Sequence, residues 1–171
     1  YQKPLPRIKK PSSKTVIDKY KKFLKISEKR IKKFFKEKNI VEFNFSNNKI
    51  CLFNGRIASQ YTNHPRINPD FIYLDGPDQF DIKGHINNLT VADYEFMPMS
   101  CDILRYENFL TPGTIILVDG RGANSIFLKN NFQRKWKYKY DFKNDQTLFY
   151  LHESPLGPLN KKQLEFYKKR K

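Results

Sequence analysis

The sequence predicts an α/β fold in which a mostly parallel sheet lies between two layers of helices. Two segments carry this prediction, residues 69–76 and residues 112–120. Each is a short apolar run, rich in β-branched and aromatic residues, that opens on a turn signal and closes on Asp-Gly. Continuous runs of this length are typical of strands buried on both faces of a parallel sheet. Helical patterns lie between and after them, as in a chain of βαβ units.

Both runs end on an acid, Asp75 in the first and Asp119 in the second. In an open α/β sheet, ligands bind in the crevice beyond the carboxyl ends of the strands. We therefore predict that these two carboxylates line such a crevice and act as catalytic residues. Asp-Gly is also ordinary turn chemistry at the end of a strand, and this simpler reading has comparable weight.

The N-terminal third of the chain reads as an arm followed by a helix and short strands. Residues 1–13 carry three prolines without periodicity, which predicts an extended basic arm. The helical pattern of residues 14–38 is firmest over 27–38, where apolar side chains share one face. Residues 41–45 alternate as a strand. The polar stretch 54–68 predicts a long loop, a type of segment that is often functional.

The second half predicts two helices and a hairpin. Residues 92–109 and 123–133 each carry apolar side chains at helical spacing. Residues 136–141 and 147–151 alternate with period two on either side of a polar turn, which predicts a β-hairpin. By length the whole chain, residues 1–171, is predicted to be a single domain.

The formal net charge is +16, and the excess sits at the two ends. Residues 1–40 hold 15 Lys and Arg against 3 acids, and the basic tail 161–171 holds 6 against 1. Residues 41–160 are close to neutral, with 12 basic residues against 13 acids. Basic ends of this kind can contact phosphate, so nucleic acid is a candidate partner. A solvated lysine-rich helix face explains the same charge.

Membrane and disulfide signals are weak. No run approaches the roughly 18 to 20 apolar residues that span a bilayer, which predicts a cytoplasmic protein without a membrane partner. Cys51 and Cys101 form no CxxC pair, so we predict buried free thiols rather than a zinc site or a disulfide framework.

The stretch from about Ser27 to Leu151 resembles the later part of class I S-adenosylmethionine-dependent methyltransferases. In that superfamily a mostly parallel sheet finishes with an antiparallel strand inserted near its edge. The run 71–75, the helical stretch that follows it and the run 113–119 are similar to the fourth strand, following helix and fifth strand of small-molecule O-methyltransferases. The resemblance implies a Rossmann-like three-layer sandwich with a C-terminal antiparallel hairpin.

The resemblance also implies an activity, which is methyl transfer from S-adenosylmethionine to a hydroxyl of a small molecule or sugar. Asp75, Gly76 and Pro77 would then contact the cofactor. In the metal-dependent branch of these enzymes, acids at two strand ends bind a divalent cation. Asp75 and Asp119 are accordingly the candidate ligands for Mg²⁺, which would orient and acidify the substrate hydroxyl.

Three further side chains are candidates for the same crevice. We predict that Arg121 and Asp78 contact substrate, because a planar guanidinium binds anionic groups through paired hydrogen bonds. His85 lies in a polar loop and is a candidate general base, since imidazole titrates near neutral pH. A single histidine in a loop is more often simply an exposed side chain.

Two other functions stay open. The first glycine is Gly55, so the glycine-rich cofactor turn of the resembled family has no counterpart before Ser27. The chain is therefore alternatively a non-catalytic relative whose basic ends bind nucleic acid or a larger assembly. Residues 120–125 follow a strand and open a helix, with Asp141 about twenty residues further on, as in a dinucleotide fingerprint. This favours, as a third reading, a nucleotide-binding enzyme that uses the Gly120 turn.

Overall fold

The structure is a computed structural model, and it describes residues 14–18, 25–26, 28–30, 41–65, 67–92, 96–97 and 99–168. The chain divides into two compact units. The first comprises Tyr1–Asn47 and Thr62–Pro65, and the second comprises Asn48–Tyr61 and Arg66–Lys171. Compact units are not equivalent to independently folding domains, so the single-domain assignment stays a prediction.

The first unit contains a parallel strand pair. Strand β1 (Lys14–Asp18) pairs with β2 (Val41–Phe45), in a register that sets Val16 opposite Phe43. Between the two strands, residues 25–26 and 28–30 are helical. Parallel neighbours need a crossover connection, for which a helix is the usual solution.

The prediction of a strand at 41–45 is confirmed in this unit, whereas the prediction of helix from residue 14 onward is wrong. Residues 14–18 form β1, because the run Thr15, Val16 and Ile17 favours an extended backbone, which pairs with β2 and outweighs the weak helical periodicity. Of the predicted helix 27–38, residues 28–30 are helical and the remaining residues lie outside the described part of the chain. The predicted arm 1–13 also lies outside it.

The second unit begins with a β-hairpin formed by β3 (Asn48–Phe53) and β4 (Arg56–Tyr61). Asn54 and Gly55 connect the strands with φ angles of 49° and 75°. Two positive φ values are what a two-residue hairpin turn requires, and Asn-Gly adopts them at low cost. The loop predicted for 54–68 is therefore wrong for its first half, where the Asn-Gly signal outweighs the polar composition.

A four-stranded mixed sheet forms the centre of the second unit. Its strands are β5 (Phe71–Leu74), β6 (Ile115–Asp119), β7 (Trp136–Asp141) and β8 (Gln146–Leu151), in the spatial order β5-β6-β8-β7. Within this sheet, β5 and β6 are the only neighbours that pair in parallel, because β8 is antiparallel to both β6 and β7. The predicted mostly parallel Rossmann-like sandwich is thus wrong. The short β7–β8 connection forces those strands to be antiparallel, and β8 then enters the sheet beside β6.

Three α-helices and two 3₁₀ turns complete the described part of this unit. They are α1 (Asp102–Tyr106), α2 (Gly122–Asn131) and α3 (Pro158–Lys168), with 3₁₀ turns at Gln79–Asp81 and Glu107–Phe109. Helix α2 and the β7–β8 hairpin match their predictions. Helix α3 includes most of the segment expected to be a basic tail. None of the helices in the described ranges has the length and apolar character needed to cross a membrane.

The helix predicted over residues 92–109 is wrong for the described residues before Asp102, which are 92, 96–97 and 99–101. The backbone around Ser100 instead pairs with β4: Ser59 N donates to Met99 O at 2.8 Å, and Cys101 N donates to Ser59 O at 2.9 Å. These backbone groups therefore extend the hairpin and are not available for helical hydrogen bonds. Helix α1 begins only at Asp102.

The core lies between one face of the sheet and the helices α1 and α2. Its buried members are Ala58, Cys101, Ile103, Leu104, Leu110, Ile116, Val118, Leu128, Phe149 and Leu151. On the opposite face, Phe71 and Tyr73 of β5 and Leu148 of β8 are exposed. The apolar runs are therefore buried on one face only. A continuous run cannot by itself indicate whether a second layer covers the sheet.

Glu107 connects the end of α1 to the segment that enters β7. Its buried carboxyl group accepts hydrogen bonds from Gln133 N, from Arg134 N at 2.9 Å and from Trp136 Nε1 at 2.8 Å. Arg134 also donates to the carbonyl of Glu107 and forms a 2.5 Å ion pair with Glu153. This network fixes where the hairpin begins relative to α1.

Candidate functional site

A cleft of about 470 Å³ lies at the carboxyl ends of the parallel strands β5 and β6. Its lining residues are Asp75, Asp78, Gln79, Phe80, Met97, Asp119, Gly120 and Arg121. Four residues predicted for a site are among them: Asp75, Asp78, Asp119 and Arg121. The volume falls within the roughly 300 to 1,000 Å³ that is usual for small-molecule sites.

Asp119 is held by hydrogen bonds to both carboxylate oxygens. The Tyr73 hydroxyl donates to Oδ2, and Gln146 Nε2 donates to Oδ1 at 3.2 Å. The Tyr73 hydrogen bond and, to a smaller extent, that of Gln146 lower the pKa of Asp119 below its ordinary 3.8. The same contact raises the pKa of Tyr73 from 10.0 to about 12. At neutral pH the pair is therefore an ionised carboxylate and a neutral phenol.

Arg121 links the two strand ends across the cleft. Its guanidinium donates a 2.7 Å hydrogen bond from Nη1 to the carbonyl of Pro77, and its Nε lies 3.8 Å from Oδ1 of Asp75. The Arg121 side chain is 20% exposed, whereas that of Asp75 is 60% exposed. The arginine is thus held by protein contacts, and the aspartate carboxylate is open to solvent.

The cleft is lined by net negative charge, whereas the whole chain is net positive. Three carboxylates line it against one guanidinium, although the protein as a whole carries a formal charge of +16. The exposed side chains of Phe80 and Met97 supply apolar surface beside these acids. The combination favours a ligand with an apolar part and with hydroxyl or cationic groups.

The other predicted site residues lie beside the cleft or apart from it. Gly76 and Pro77 belong to the segment that follows Asp75, where Pro77 is buried and its carbonyl accepts the Arg121 hydrogen bond. The Tyr61 hydroxyl packs so close to Gly76 that a Cβ there would lie 3.1 Å away. His85 is exposed and does not line the cleft, so the geometry gives no support to its predicted role as a base.

Sequence reasoning missed the residues that support Asp119. Tyr73 is in β5, and its hydrogen bond to Asp119 on the neighbouring strand depends on the β5–β6 pairing, which its position in the sequence does not indicate. Gln146 lies opposite Asp119 in the β6–β8 register, which depends on how β8 enters the sheet. The apolar wall of Phe80 and Met97 had no sequence signal of its own.

The arrangement does not fit the predicted Mg²⁺ site. Both oxygens of Asp119 accept protein hydrogen bonds, and the Arg121 cation lies beside Asp75. Within the described ranges, no group of three or more His, Cys, Asp or Glu side chains is placed to hold a metal ion. Mg²⁺ prefers six oxygen ligands, and a neighbouring guanidinium repels it.

The Gly120 turn has the predicted position between β6 and α2, but its surroundings do not favour a pyrophosphate. Gly120 N donates to the backbone carbonyl of Asp145 at 2.9 Å, and a carboxylate oxygen of Asp145 lies close to the turn. Asp119 directly precedes it. Two acids beside the turn would repel a dinucleotide's phosphates.

Comparison of the chain with models of protein families, with curated proteins and with solved structures finds no match.

Proposed function

We propose that the chain acts in methyl transfer from S-adenosylmethionine to a hydroxyl group of a small molecule or sugar, with the acidic cleft as the ligand site. The observation that carries the proposal is the convergence of Asp75, Asp78, Asp119 and Arg121 at the carboxyl ends of two parallel strands. This edge is where α/β sheets bind ligands.

The chemistry of the cleft suits this cofactor. S-adenosylmethionine carries a sulfonium and an ammonium group, and when bound it supplies an electrophilic methyl group. The carboxylates of Asp75 and Asp78 would hold its cationic and hydroxyl groups, and Phe80 offers an apolar surface for its base. Because three carboxylates and one guanidinium line the cleft, its net negative charge attracts a positively charged ligand.

The remaining residues would orient the acceptor. Asp119 stays ionised well below neutral pH, so it accepts a hydrogen bond from a substrate hydroxyl and is a weak proton acceptor. Asp75 is more exposed and is the better placed of the two to take the proton released from that hydroxyl. Arg121 donates a hydrogen bond to the carbonyl of Pro77 and so would fix the position of the next residue, Asp78.

Calorimetric titration of the full chain with S-adenosylmethionine tests the proposal. Binding should be measurable, and Asp75→Asn should weaken it by about 10-fold, because a charge-assisted contact with the cofactor is lost. Asp141→Asn is the matched control, since Asp141 lies at the end of β7 and does not line the cleft. Absence of heat with the wild-type chain at millimolar ligand would contradict the proposal and favour the non-catalytic alternative.

A further inference from the structure

The two cysteines of the chain lie side by side in the second unit, although 50 positions separate them in the sequence. The Sγ atoms of Cys51 and Cys101 are 3.4 Å apart. Cys51 is in β3, opposite Ala58 of β4, and Cys101 directly precedes α1. The sequence alone predicts buried free thiols, because the two cysteines form no CxxC pair.

Backbone hydrogen bonds hold the segments of both cysteines against strand β4. Cys101 N donates to the carbonyl of Ser59 at 2.9 Å, and Ser59 is the neighbour of Ala58, the β4 residue opposite Cys51. At the start of α1, the Asp102 carboxylate accepts from Tyr61 N at 3.0 Å and from Ser100 Oγ at 2.8 Å. The proximity of the sulfur atoms is thus a property of the paired backbone and does not depend on one flexible side chain.

The two thiols differ in their surroundings. Cys101 is fully buried, whereas Cys51 is partly exposed. Burial raises the pKa of the Cys101 thiol to about 12, and a 3.4 Å hydrogen bond from Arg105 Nε opposes this rise. Cys51 is therefore the sulfur that a soluble oxidant reaches first, and Cys101 is positioned to resolve the intermediate.

We propose that Cys51 and Cys101 form a reversible disulfide that closes the chain around the segment carrying Asp75 and Asp78. A disulfide oxidant such as glutathione disulfide supplies the electron acceptor. The Cys51 thiolate attacks one of its sulfurs and releases a glutathione thiolate, and Cys101 then attacks Cys51 in the mixed disulfide and releases the second. Two cysteine hydrogens leave as protons, two electrons pass to the oxidant, and two glutathione thiols form.

The movement needed is small. A disulfide bond is about 2.05 Å long, so the sulfurs must approach by roughly 1.4 Å. We expect rotation of the two cysteine side chains to supply this movement while the β3–β4 pairing stays in place. The bond would link the hairpin to the start of α1 and restrict the 50-residue loop between the two cysteines in the unfolded chain. The inference does not rest on the proposed function.

Thiol counting on the folded full chain tests the proposal. The protein is equilibrated with glutathione disulfide, denatured, alkylated and weighed intact. The expected product is lighter than the reduced chain by two hydrogen atoms and carries no alkyl group. After reduction and a second alkylation, it should carry two alkyl groups. Cys51→Ser and Cys101→Ser are the controls. Each has one cysteine, so its mass should show one alkyl group or one bound glutathione and no internal disulfide.

The melting temperature tests whether the disulfide is compatible with the folded structure or strains it. The oxidised wild-type chain should melt on the order of 10 °C above the reduced chain, because the disulfide restricts the unfolded ensemble. The single variants should show no such difference between the two buffers. Two alkylated thiols after oxidation, a stable glutathione adduct, disulfide-linked dimers or a lowered melting temperature would each overturn the proposal.

Discussion

The Tyr73 hydroxyl donates a hydrogen bond to the Asp119 carboxylate and so joins the parallel strands β5 and β6 near their carboxyl ends. Tyr73 lies opposite Leu117 in the register, and Asp119 is two residues further along the same strand. The contact is therefore diagonal across the pair. It lowers the pKa of an acid that lines the candidate site.

Removing the Tyr73 hydroxyl should move the pKa of Asp119 upward. In Tyr73→Phe we expect the titration midpoint of this carboxyl to rise toward its ordinary 3.8, because the largest cause of its lowering is gone. Carbon NMR of the labelled Asp119 carboxyl group during an acid titration measures this. Tyr138→Phe is the control, since the Tyr138 hydroxyl contacts Lys129 instead. An unchanged midpoint in Tyr73→Phe would contradict the assignment.

The same pair predicts a pH dependence of stability at both extremes. The pKa of Tyr73 is raised to about 12, so its contribution is complete below 10.0 and is lost as pH rises through about 12. The pKa of Asp119 is lowered, so its contribution is present above 3.8 and is lost as pH falls through the lowered value. Denaturant unfolding of wild type and Tyr73→Phe across pH should show their difference shrinking at both ends.

Glu107 should be a major determinant of stability. Glu107→Ala leaves the donors of Gln133, Arg134 and Trp136 without their acceptor in a buried position, which should cost about 3 kcal/mol in the free energy of unfolding. Urea denaturation followed by Trp136 fluorescence measures it. The exposed Glu165→Ala should change the free energy of unfolding by less than about 0.5 kcal/mol. Equal effects of the two substitutions would contradict this role.

Gly113 and Gly122 should respond oppositely to alanine. Gly113 has a φ of +97°, and a Cβ there would collide with the side chain of Leu164 in α3. Gly113→Ala should therefore destabilise the fold by about 2 kcal/mol. Gly122 opens α2 with free space around it, so Gly122→Ala should be neutral or stabilising by up to about 1 kcal/mol. Thermal melts compare them, and a stable Gly113→Ala variant would refute the clash.

Binding of the full chain to nucleic acid should be weak and sensitive to salt. The basic residues of α3, such as Lys161 and Lys162, are exposed and offer phosphate contacts only. Fluorescence anisotropy with single-stranded oligonucleotides should show binding that disappears by moderate salt and that ignores sequence. Sequence preference that survives several hundred millimolar salt would contradict this and would move the function to the basic ends.

Local pattern determined much of the second unit. Apolar runs with turn residues at both ends predicted the strands at β5 and β6, and period-two alternation predicted the β7–β8 hairpin. These signals are local, because they reflect the dihedral preferences of neighbouring residues and the alternation of buried side chains. The strand ends then placed Asp75 and Asp119 near each other, because the two strands are parallel neighbours.

Tertiary structure alone decided which strands are neighbours, which faces are covered and which distant side chains meet. The alternation in residues 146–151 predicted an antiparallel hairpin with β7, but it does not indicate that β8 also pairs with β6, which makes the sheet mixed. The apolar run of β5 was equally compatible with one or two covering layers, and Phe71 remains exposed. The Cys51–Cys101 contact depends on pairing between segments far apart in the chain, which periodicity and spacing do not encode.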